Sequence, residues 1–95
     1  MLMTIYNQVN QNYEKVSKTT KYFFNTFLKK FEKDKWKLDV WINNKKKSQE
    51  NPLYSCGMSL KRPRRKTLYV EKEVRDLPLA IRKTTKSLAQ ILRGA

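Results

Sequence analysis

At Asp34 the spacing of apolar residues changes, and that change constrains the fold more than any other feature of the chain. Up to Phe31 the apolar side chains fall at Leu2, Tyr6, Val9, Tyr13, Val16, Thr20, Phe23, Phe27 and Phe31, in steps of four and three. Such spacing lines one face of a helix. Beyond Asp34 it becomes two: in WKLDVWIN, residues 36–43, Trp36, Leu38, Val40 and Ile42 alternate with Lys37, Asp39 and Trp41. That is the period of a strand buried on one side. A chain carrying both periods in separate blocks belongs to the α+β class.

Two further strands follow by the same reasoning. In LYSCGMSL, residues 53–60, Tyr54, Cys56, Met58 and Leu60 share a face, and in TLYVEK, residues 67–72, Leu68 and Val70 do. The polar segment NKKKSQENP, residues 44–52, and the basic hexapeptide KRPRRK, residues 61–66, then read as hairpin loops joining three antiparallel strands. Asp76 is a fitting N-cap for a last amphipathic helix that Gly94 ends. On it Leu77, Ile81, Thr84, Leu88 and Ile91 line one face, opposite Arg75, Arg82, Lys86 and Arg93. The expected order is α-β-β-β-α, a single domain over residues 1–95 with both helices on one face of the sheet.

The first helix is long for such a domain. Thirty residues of helix span roughly 45 Å, against a radius of gyration of about 12–13 Å for a compact chain of this size. Two arrangements satisfy the constraint. In one, residues 1–20 overhang, and Tyr6, Val9, Tyr13 and Val16 meet a second copy of the chain or another protein. In the other, Ser17, Thr19 and Thr20 break the run into two helices that fold back on each other.

Composition decides the functional class. Twenty-two Lys and Arg against eight Asp and Glu leave a net charge of +14, which attracts polyanions. There is no His, and Cys56 is alone, so histidine acid–base chemistry, zinc clusters and internal disulfides are excluded by inventory. The carboxylates are scattered and no glycine-rich phosphate loop precedes a helix, so neither catalysis nor a cofactor nor a metal is expected. No apolar run reaches the roughly 20 residues of a spanning helix, and the first fourteen residues lack Lys and Arg. A cytoplasmic protein with no membrane partner is expected.

Half of the net charge sits in the two loops: between residues 43 and 66, Lys45, Lys46, Lys47, Lys61, Arg62, Arg64, Arg65 and Lys66 stand against Glu50 alone, a net +7. Three arginines and a stiffening Pro63 suit phosphates. If the helices cover one face of the sheet, the other shows Lys37, Trp41, Gly57, Ser59 and Tyr69, rings among small groups and a cation, which is what stacking of unpaired bases requires. The reading is a non-catalytic nucleic-acid-binding protein, with single-stranded DNA or RNA favoured, serving replication or a mobile element. Two alternatives are a structural component of a ribonucleoprotein such as the ribosome, and a phage-type inhibitor that binds another protein.

The predicted order of elements resembles that of double-stranded-RNA-binding domains, which also set two helices against three antiparallel strands. That resemblance implies shape-reading of a duplex. The family opens its final helix with a lysine cluster, whereas this helix opens DLPLAIRK with its basic residues a turn or more later, so a duplex partner ranks below a single strand.

Overall fold

The computed structural model describes residues 1–9, 13–46 and 50–94. Strand β1 (Leu2–Asn7) leads to helix α1 (Tyr13–Phe23), which continues as a π-helical turn (Phe24–Leu28) and a 3₁₀ turn (Lys29–Phe31). Strands β2 (Lys37–Lys46), β3 (Leu53–Lys61) and β4 (Leu68–Val74) follow, then helix α2 (Leu77–Gly94). The four strands form one sheet in the order β1-β2-β3-β4. β1 runs parallel to β2, and the other pairs are antiparallel.

The α+β class, the three-stranded meander and the two helices against one sheet face are as the residue spacing implies. The first seven residues are not: where a continuous helix is expected, the chain forms a fourth strand. The cause is an ambiguity in the spacing. A step of four, Leu2 to Tyr6, keeps two side chains on one face of a helix and equally on one face of a strand. Thr4 and Ile5, β-branched, favour the strand. Met1, Met3 and Ile5 pack against the core while Leu2 and Tyr6 stay exposed, and Asn7 closes the strand by accepting the amide of Val9 at 3.0 Å.

Among the described residues up to 20, no helix therefore overhangs. Val9 and Val16, expected at an intermolecular contact, are 7% and 4% exposed within the chain's own core; Tyr6 and Tyr13 remain on the surface. The extra strand also separates the fold from the α-β-β-β-α order of the duplex-RNA domains.

The core lies between the helices and the inner face of the sheet, where Leu38, Val40, Ile42, Cys56, Met58 and Leu60 meet Ala80, Ile81, Leu88 and Ala89. Thr84 ties the layers: its hydroxyl lies 2.9 Å from the carbonyl of Cys56 and 2.8 Å from that of Ala80. Along α1 and the turns that continue it the deepest side chains are Val16, Thr20, Phe24 and Leu28, and Phe23, Phe27 and Phe31 only flank them. Four-residue steps drift by about 40° each on an α-helix. The wider π turn rotates the other way and brings Leu28 back over the core.

Candidate nucleic-acid interface

A meander places successive hairpins at opposite ends of its middle strand. β3 separates the connection that enters it at Leu53 from the loop at residues 62–67 by eight residue steps, about 26 Å at the usual rise of a strand. Lys45 and the basic residues 61–66 are thus held apart. Lys45 lies at one end, in the bulge between Asn44 and Lys46. Lys47 and the side chain of Lys46 fall outside the described residues. Lys61, Arg62, Arg64, Arg65 and Lys66 lie at the other end.

That second end gathers more cations than the hexapeptide alone supplies. Lys37 stands directly across from Lys61. Before it, the connection from Lys29 to Trp36 brings Lys29, Lys30, Lys33 and Lys35, all exposed, to the same end. β1 starts here as well, with the amide of Leu2 bonded to the carbonyl of Trp36 at 3.0 Å. The terminal ammonium of Met1 pairs with Glu32 at 3.4 Å. Lys33 and Lys35 are not singled out by sequence reasoning, because only the pairing of β2 with β3 shows that they adjoin residues 61–66.

Two tight turns build this end, and they share an unusual feature. In the first, Arg62-Pro63-Arg64-Arg65, the amide of Arg65 bonds to the carbonyl of Arg62 at 3.3 Å, and Arg64 has φ 61°. Proline followed by a left-handed residue is the pattern of a type II turn, whose third position favours glycine. In the second, Lys33-Asp34-Lys35-Trp36, the amide of Trp36 reaches the carbonyl of Lys33 at 3.4 Å, and Lys35 has φ 71°. A side chain in that region costs on the order of 1–2 kcal/mol. Among the described residues these are the two non-glycine residues with positive φ, and both are cations at one end of the sheet.

Arg62 differs from its neighbours. It is half-buried, its guanidinium lies 5.8 Å from the ring of Trp36, and one of its terminal nitrogens donates to the carbonyl of Lys66 at 3.3 Å. It therefore clamps the hairpin to the turn beside it. Its Nε is buried with no partner among the described residues. Arg64, Arg65 and Lys66 are exposed and free to meet phosphates.

The open face of the sheet is layered. From the cationic end, the rows run Lys37–Lys61, then Thr4–Asp39–Ser59–Tyr69, then Tyr6–Trp41–Gly57–Glu71, then Asn43–Ser55–Glu73. Tyr6 and Trp41 stack across strands, with ring centroids 5.5 Å apart and planes 12° from parallel. The Tyr69 hydroxyl donates to Glu71 at 2.7 Å, and this bond to the carboxylate holds the phenol's proton and raises its pKa. The same hydroxyl lies over Gly57, where a Cβ would come within 2.8 Å of it. Trp41 and Tyr69 are 37% and 57% exposed, so both predicted rings do reach the surface, joined by Tyr6. The face centre also carries three carboxylates, Asp39, Glu71 and Glu73, none in an ion pair among the described residues.

Among the described residues no group of His, Cys, Asp and Glu could hold a metal ion, and no helix is long and apolar enough to cross a membrane. No protein-family description and no curated protein matches the chain. Solved structures do. The chain is similar over 99% of its length, and 96% of the other's, to a ribosomal subunit interface protein from Coxiella burnetii, with a TM-score of 0.74 at 11% identity. It is similar over 100% of both chains to the N-terminal domain of Protein Y from Thermus thermophilus, with a TM-score of 0.68 at 13% identity. The fold is one these proteins share.

Proposed function

We propose that this chain is a non-catalytic, ribosome-associated RNA-binding protein that grips phosphates with the cationic end of its sheet. The observation that carries the reading is the pair of abutting turns at residues 33–36 and 62–65. Each spends backbone strain to hold a basic residue, Lys35 or Arg64, where glycine would be favoured. Strain of this kind persists where the side chain is needed. A protein of the same whole-length fold that is named for the ribosomal subunit interface supports the ribosome as the source of that RNA.

This reading takes precedence over a free single-strand binder whose strand crosses the sheet. A phosphate chain laid over the face would meet Asp39, Glu71 and Glu73, whereas the end carries Lys33, Lys35, Lys37, Lys61, Arg64, Arg65 and Lys66. Like charges at that spacing oppose binding.

The test is sedimentation of the purified protein with ribosomal particles through a sucrose cushion. Pelleting with the particles at about 0.1 M salt and release towards about 1 M is expected, since neutralised phosphates give back their counterions. Protein left in the supernatant at low salt, or pelleting indifferent to salt, would refute the proposal.

A further inference from the structure

The geometry points to a seat for one unpaired guanine of RNA on the open sheet face, stacked on Trp41 and read by Asp39. This rests on the RNA-binding reading above and names what the neighbouring face adds to the phosphate grip.

The seat has three parts. Tyr6 stacks against Trp41 and braces it, and the next strand offers Gly57, which brings no side chain of its own. Tyr69, held by Glu71, closes the far side over Gly57. These rings form a platform across all four strands, and base–aromatic stacking contributes about 1–3 kcal/mol per base whatever the base. Choice among bases must come from a polar group at the platform. Asp39 is that group: it lies on the same face of β2 as Trp41, one row nearer the cationic end, and is half-buried, its carboxylate with no hydrogen bond or ion pair among the described residues.

An ionised carboxylate only accepts. Guanine alone among the four bases presents two adjacent N–H donors, on N1 and the exocyclic N2, that match both oxygens at once. Adenine, cytosine and uracil each offer a single N–H direction beside an acceptor that the carboxylate repels. Lys37 lies four residues from Trp41, about 13 Å along β2 towards the cationic end, within reach of the phosphates of neighbouring nucleotides.

The experiment uses the Trp36→Phe chain, which keeps a ring beneath Arg62 and leaves Trp41 as the sole tryptophan. Its fluorescence is titrated with octameric oligouridylates carrying one central G, A, C or inosine. Quenching is expected with each, and binding of the G octamer about tenfold tighter than the A octamer, with inosine, which lacks the exocyclic amine, between them. In an added Asp39→Asn change the preference should move towards adenine, whose N6–H and N7 suit an amide. Equal affinity for all four octamers, or a guanine preference that survives Asp39→Asn, overturns the seat. Binding by anisotropy without Trp41 quenching also overturns it, but leaves the phosphate grip standing. No binding to any octamer at low salt removes both.

Discussion

Cys56 illustrates how far a single position can be interpreted from inventory. With no His to activate it, a buried and inert thiol is the expectation, and the structure buries it fully beneath α2. Loss of water around it pushes its pKa up to about 12 from 9.0, outweighing the nearby Thr84 hydroxyl, which favours the thiolate. The folded chain thus holds this proton more tightly than the unfolded one. The resulting stabilisation is complete below pH 9 and is lost as pH rises from 9 towards 12, at up to about 1.4 kcal/mol per pH unit. Denaturant midpoints of the wild type and Cys56→Ala should therefore converge above pH 9, and a thiol reagent at pH 8 should label only unfolded protein. Gly57 supplies a second prediction of this size. Alanine there would displace the Tyr69 hydroxyl 2.8 Å away and break its bond to Glu71. The phenol's pKa should fall towards its ordinary value in a site-resolved NMR titration. Stability should change by less than about 1 kcal/mol, because the lost surface bond is offset by alanine's smaller entropy cost in a strand.

At the level of elements, most of the fold is legible because one period excludes the other. β2 alternates buried Leu38, Val40 and Ile42 with outward Lys37, Asp39 and Trp41, and no helix satisfies that. β1 is not legible from spacing, since a step of four fits both periods and the parallel partner that settles the matter lies more than thirty residues on. The π turn is hidden for a related reason: Phe23, Phe27 and Phe31 continue the α-helical stripe in sequence, and only the packing shows Phe24 and Leu28 taking the inner positions. The two left-handed turns are invisible too, because lysine and arginine there contradict the residue preference that would announce them. They yield a prediction whose two halves have opposite sign. Arg64→Gly or Lys35→Gly should stabilise the fold by up to about 1 kcal/mol as strain is relieved, yet weaken RNA binding severalfold by removing a phosphate contact. Thermal melts and anisotropy titrations on the same samples check both halves. Loss of stability, or unchanged affinity, would mean these cations are incidental to binding.

Across the whole molecule, sequence reasoning identifies which side chains are cationic but cannot say which of them meet. Lys45 and residues 61–66 look like one basic patch until the meander sends them to opposite ends of β3; Lys33 and Lys35 look unrelated to either until strand pairing brings them beside Arg62. Net charge survives this rearrangement, but its geometry does not, and geometry decides how much RNA the proposed grip could engage. A four-nucleotide RNA can reach only one end of a sheet whose hairpins stand about 26 Å apart. Its affinity should depend on Arg64, Arg65 and Lys66 and be indifferent to Lys45→Ala. A twenty-nucleotide RNA can span both ends, and with it Lys45→Ala should reduce the slope of log affinity against log salt by about 0.7, the share of one single-strand phosphate. If Lys45 counts equally for both lengths, a short RNA reaches both ends and the separation imposed by β3 does not divide the site. If it counts for neither, binding is confined to the end built by the two strained turns, and the far loop serves only to keep the protein soluble.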